Sequence, residues 1–189
     1  MPNYQEGQQF ERKDFKTAPL PLGEYENCIF KQCQFTEADL SNMVFVDCRF
    51  VECELSMARL DQTAFREVKF DRCKLLGLRF DRCNPMLLAF SFEQCILDFA
   101  SFFQLKIKGT RFNNCRLHEA EFIETDLAQA TFAQCDLQRT RFENCNLEGA
   151  DFRTAQHFTI DPDLNRVRKA RFDAQSLSGL LSKYGLRID

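Results

Sequence analysis

The chain has 189 residues, 25 Lys and Arg against 28 Asp and Glu, and 21 Phe and 10 Cys but no Trp. A hydrophobic content of 44% excludes a disordered chain, and the length suits one domain. The near-balanced charge argues against a non-specific nucleic-acid binder, and no apolar run approaches the roughly 18 residues that span a membrane. The first residues, MPNYQEGQQFERKDF, do not read as a secretory leader, so reduced thiols and a cytoplasmic location are expected.

A five-residue period runs through the chain. Every fifth residue from Phe10 is Phe, Leu or Tyr as far as Phe80. The frame moves by two around Pro85, then resumes as Phe92, Leu97, Phe102, Ile107 and onward to Phe152. A mostly small residue stands two places before each large one, and every cysteine falls there. This period suits neither an α-helix nor a continuous strand. It suits a short extended segment, with the small and large side chains on one face, followed by a corner. Cysteines recur at a separation of 20, as in Cys28/Cys48 and Cys33/Cys53/Cys73. The simplest reading is four units per turn, a square coil with Phe10, Phe30, Phe50, Phe70 and Phe90 in one column. Further on, Phe92, Phe112, Phe132 and Phe152 stack, with Cys95, Cys115 and Cys135 in a neighbouring small-residue column. Coils about 4.8 Å apart make a rod on the order of 35 Å long.

In chain order, residues 1–24 read as an N-terminal cap and partial coil, broken by Pro19 and Pro21. Residues 25–83 form a first β-helix section and 92–152 a second. Between them, 84–91 is a joint whose Pro85-Met86-Leu87-Leu88 is expected to pack back on the rod. Residues 153–189 form a C-terminal cap with an Ile160-Asp161-Pro162 turn and a short helix. Asp173 caps that helix and Gly185 ends it. Its stripe, Leu177, Leu180, Leu181 and Tyr184, is expected to cover the last coil and to join a second copy as a homodimer.

Segments such as EADLS (37–41) and TDLAQATFAQCDLQRTRFENCNLEGADF (125–152) make the chain resemble the pentapeptide-repeat proteins. The resemblance implies an all-β fold, a right-handed quadrilateral β-helix. The Cys-and-Phe variant and the tail resemble a narrower group, the Qnr quinolone-resistance proteins and the microcin and albicidin immunity proteins. That resemblance implies a dimeric DNA mimic that binds DNA gyrase or topoisomerase IV and protects it from poisons. Unlike the Qnr proteins of Gram-negative bacteria, this chain has no long insertion between residues 25 and 152.

Charge along the chain is banded. Residues 25–65 carry 7 acids and 3 bases, 66–116 carry 5 and 10, and 117–152 carry 8 and 2. The block 117–138 has no Lys or Arg, and its Glu119, Glu121, Glu124, Asp126 and Asp136 are the candidate acidic face for a cationic partner. In the basic band, Arg66, Lys69, Arg72, Lys74, Arg79 and Arg82 are expected to pair with Glu67, Asp71 and Asp81. No C-x-x-C, P-loop or G-x-S-x-G motif occurs, so no cofactor, metal or catalytic residue is expected. His118 points outward without a regular partner, and His157 falls in the terminal irregularity.

Overall fold

The computed structural model describes residues 3–187; residues 1–2 and 188–189, the extremes of the first and last segments, lie outside the described residues. The chain winds as a right-handed quadrilateral β-helix of parallel strands and bridges, closed by a short C-terminal helix. Each coil contributes one short extended segment to each of four faces.

The first face is a seven-stranded parallel sheet running from Gln9–Glu11 to Thr131–Ala133. The second face is joined by single bridges from Asp14 through Gln34, Glu54, Lys74, Ile96, Arg116 and Asp136 to Gln156. On the third, bridges at Ser101 and the strands Glu121–Ile123 and Arg141–Glu143 align the coils. The fourth begins with the parallel strands Asn3–Glu6, Gly23–Glu26, Val44–Val46 and Ala64–Arg66. It resumes at the Lys106, Asp126, Asn146 and Arg166 bridges.

Rings fill the interior. Phe10, Phe30, Phe50, Phe70, Phe92, Phe112, Phe132, Phe152 and Phe172 form one first-face stack, with successive centroids 4.8–5.4 Å apart. A second stack, Phe80, Phe102, Phe122 and Phe142, meets it edge-on; Phe112 and Phe122 are 5.9 Å apart at 84°. Stacked and edge-on contacts both suit the ring quadrupole.

The small slot is a hydrogen-bonding position as well as a narrow one. Its side chains donate to the carbonyl of a large residue one coil earlier, on the preceding face. Cys53 Sγ reaches Phe30 O at 3.2 Å, Thr125 Oγ1 reaches Phe102 O at 2.8 Å, and Thr140 Oγ1 reaches Leu117 O at 2.6 Å. Cys and Thr therefore fit where Ala leaves a carbonyl without that partner. All ten thiols are free and buried. Burial pushes Cys145 up to about 11 and Cys48 up to about 12, which suppresses the reactive thiolate.

The structure departs from the period in three places. Phe92, not Phe90, stacks on Phe70, 5.4 Å away. Phe90 pairs with Val68 and so occupies the small slot. The two extra residues after Asn84 leave the fourth face without an inward large residue between Phe65 and Ile107, and the Phe90 ring packs there, 5.3 Å from Phe80. Second, of Pro85-Met86-Leu87-Leu88 only half-buried Leu88 packs on the core; Met86 and Leu87 are 65% and 71% exposed. Third, coiling begins at Asn3, because Asn3–Glu6 pairs with Gly23–Glu26. Polar Asn3 and Gln5 at the inward positions hide this coil from the period. Gly23 is required beneath it, since a Cβ there would lie 2.0 Å from Asn3 O.

At the other end, Asn165 takes the small slot. Its Oδ1 accepts from Cys145 N at 2.9 Å, and its Nδ2 donates to Phe142 O at 2.8 Å. Asp173 accepts from Gln175 N and opens a run of 3-10 turns around the single α turn Ser178–Leu181, and Gly185 closes it at φ 60°. Gly179 O accepts from Ile160 N at 3.0 Å, seating the helix on the last coil. Among the described residues no helix is long and apolar enough to cross a membrane.

Candidate functional site

The five acidic candidates do not share a face. Glu121 lies on the third face and Asp126 on the fourth, each aligned by bridges to neighbouring coils. Glu119 and Glu124 sit at the corners before and after Glu121, both in the left-handed region with φ 56° and 54°. Asp136 lies on the second face, above Arg116. Four of these carboxylates therefore form a belt across two adjacent faces of one coil, and the fifth lies most of a turn further along. A run of acids along the sequence turns a corner because five residues cover one side of the square.

Neighbouring coils partly neutralise the belt. Arg139 approaches Glu119 at 3.4 Å, Arg141 approaches Glu121 at 2.8 Å, and Lys108 approaches Asp126 at 3.3 Å. Glu124 receives only the amide of Gln104, at 2.8 Å. The basic band behaves likewise. Arg79 pairs with Asp81 and Arg72 with Asp71, as expected, but Arg72 also reaches Glu52 and Lys74 pairs with Glu54. Arg66, Lys69 and Arg82 have no carboxylate within 4 Å among the described residues. The helix stripe is divided: Leu180 packs on the core, whereas Leu177, Leu181 and Tyr184 are exposed.

The pentapeptide repeat region that defines a known family matches residues 23–85 and 65–156, well over half of the chain. The chain belongs to the pentapeptide-repeat family. No sequence among curated proteins matches it significantly. Two solved structures, trypsin-treated variants of QnrB1, are similar along the whole rod. QnrB1 is described as a plasmid-mediated fluoroquinolone resistance protein. Each is 20% identical, covers 100% of this chain and 99% of that one, and gives a TM-score of 0.52 or 0.50. At that identity the likeness is one of fold.

Two features of this pentapeptide-repeat rod escaped the sequence reading. The only two histidines in the chain meet on one carboxylate: His118 Nε2 and His157 Nδ1 each lie 2.8 Å from an oxygen of Asp136. The separations of 18 and 21 residues, close to one coil, were the available signal. The second feature is an apolar corner. Non-glycine corner residues at positive φ are polar except Met57, Leu87 and Phe99. Met57 and Phe99 occupy the same second-to-third corner, two coils apart, and are 57% and 54% exposed. Leu76, next to that corner in the coil between them, is also exposed, and Phe99 lines a shallow depression with Glu119, Glu121, Arg139 and Arg141. A clustered apolar ridge beside charged side chains suits a protein partner.

Proposed function

We propose that this chain is a non-catalytic, DNA-mimicking protein that binds DNA gyrase or topoisomerase IV in the cytoplasm and protects it from quinolones or toxin-type poisons. The observation that carries this reading is the acidic belt. Glu119, Glu121, Glu124 and Asp126 follow one another across two adjacent faces of the rod, as phosphates follow one strand part-way round a duplex. Their exposed ion pairs are worth well under about 1 kcal/mol each, so a cationic DNA-binding surface can displace Arg139 and Arg141 at little cost. The end-to-end similarity to QnrB1 supports the same reading, as does the Cys-and-Phe repeat variant. Exposed Leu177, Leu181 and Tyr184 supply the surface for a homodimer through the C-terminal end.

A second reading is a scaffold for a different bacterial protein. The neutralisation of the belt by Arg139, Arg141 and Lys108 favours it, since a phosphate mimic gains from free carboxylates. Supercoiling by purified gyrase in the presence of a quinolone separates the two. The first reading expects rescue of supercoiling at low-micromolar protein. It also expects that rescue to disappear in the triple variant Glu121→Lys, Glu124→Lys, Asp126→Lys while the circular dichroism is unchanged. Absence of rescue, inhibition and gyrase binding leaves the scaffold.

A further inference from the structure

We propose that the shallow groove beside the 84–89 loop binds an extended acidic segment of a partner protein. The groove is a consequence of the frame shift. Residues 84–89 leave the coil, so the fourth face lacks one strand between Ala64–Arg66 and the segment at Lys106. Two open depressions lie on either side of a first-face column of side chains, and the second of them borders the gap. One is lined by Arg49, Lys69, Asp71, Ser91, Glu93 and Arg111 among others. The other includes Lys69, Leu88, Lys106, Lys108 and Arg111. They share Lys69, Ser91 and Arg111, so they are two sides of one cationic ridge.

The charge arrangement on this ridge breaks the pattern of the rod. Several cations elsewhere have a carboxylate one coil earlier: Arg59 has Asp39, Arg72 has Glu52, and Arg141 has Glu121. Arg49 and Lys69 are direct neighbours in parallel register, and Arg111 follows beyond Ser91. Neither these three nor Lys106 has a carboxylate within 4 Å among the described residues; Lys108 alone pairs, with Asp126 at 3.3 Å. Like charges stacked directly in a sheet are destabilising. An external counter-charge removes that cost.

Shape selects the occupant. The cationic column is one residue wide, with Asp71 and Glu93 along one side and Glu67 at the opposite corner. A nucleic-acid duplex would press phosphates against these carboxylates on both sides. An extended peptide is narrow enough to avoid them. Arg49 to Arg111 spans three coil steps, about 14 Å, and alternate residues of a five-residue extended segment place three same-side carboxylates across roughly 13 Å. The match is a Glu-x-Glu-x-Glu type of segment lying along the rod axis.

The test is fluorescence anisotropy with a labelled peptide of alternating glutamate and threonine. A peptide of alternating lysine and threonine and a single-stranded oligonucleotide of equal negative charge serve as comparators. The glutamate peptide is expected to bind, more weakly as salt rises. Lys69→Glu with Arg111→Glu should weaken it at least tenfold, and Glu119→Lys with Glu121→Lys should leave it within twofold. Should the double reversal fail to fold, Lys69→Ala with Lys106→Ala should still weaken binding about fivefold. No preference over the lysine peptide, no response to these variants, or tighter binding of the oligonucleotide would each overturn the proposal. The groove meets the acidic belt only where Lys106 and Lys108 adjoin Asp126, and peptide binding is read with Asp126 unchanged, so its failure and a failure of the supercoiling assay are distinguishable.

Discussion

The first and fourth faces are built from the same five-residue unit, yet one is continuous and the other broken. On the first face the Phe column passes the frame shift without a gap, with Phe92 resting on Phe70 at 5.4 Å. On the fourth, Phe65 and Ile107 have no inward residue between them in their own column, and the chain leaves the coil at 84–89. The difference shows that a two-residue shift can be confined to one side of a solenoid when neighbouring faces keep register. Val68 still pairs with Phe90 and Lys74 with Ile96, at a separation of 22 instead of 20. The intact faces hold the rod straight through the shift. The broken one leaves a depression lined by Leu88, Lys106 and Lys108 beside the cationic column of the first face.

The largest expected effect comes from opening the continuous column. Phe112 is fully buried, stacked between Phe92 and Phe132 at 5.1 and 4.9 Å and met edge-on by Phe102 and Phe122. Phe112→Ala should cost about 3–5 kcal/mol, because the stacked coils cannot collapse into the space. Urea unfolding measures it, and a loss below about 1 kcal/mol would show that the column is not the main support.

A smaller effect comes from mending the broken face. Deleting Pro85 and Met86 leaves Cys83-Asn84-Leu87-Leu88-Ala89-Phe90-Ser91-Phe92, which restores the period. Leu87 then falls five residues after Phe80 and five before Phe92, at an inward position between Phe65 and Ile107. Phe90 is no longer needed as filler. Phe90→Ala alone should cost about 3 kcal/mol, whereas the deletion combined with Phe90→Ala should lie within about 1.5 kcal/mol of the parent. If the combined variant is no more stable than Phe90→Ala alone, Phe90 is not substituting for the missing residue.

The faces and their core were legible because apolar side chains recur at a fixed separation, and burial enforces that spacing. The first coil was not, since Asn3 and Gln5 put polar residues in inward slots that only backbone pairing reveals. The surface was less legible still. Charge was read along the chain, but in a square coil its neighbours are about 20 residues away. The run Glu119 to Asp126 thus became a belt, and its partners Arg139 and Arg141 come from the next coil. The hydrogen-bonding role of the small slot was visible only in the mixture of Cys and Thr with Ala, which size alone does not explain.

The smallest expected effect lies on the second face, which stays continuous and carries the His118–Asp136–His157 cluster. These side chains tie the sixth and seventh rings' coils to the C-terminal cap. Burial works against ionising Asp136, but His118 and His157 on either side, together with the Gln138 N–H, more than offset it, and its pKa is lowered. A carboxyl lowered by folding contributes stability that is fully present above its unfolded value of about 3.9 and is lost as pH falls through the folded value. Urea midpoints of the parent and Asp136→Asn should therefore differ at pH 5 and converge towards pH 2, with the parent the more stable. The difference should shrink when His118 and His157 are both replaced by Gln, since only the Gln138 N–H then offsets burial. A difference that is constant across this range, or that widens as pH falls, would mean that the carboxylate charge does not hold the cap to the continuous face.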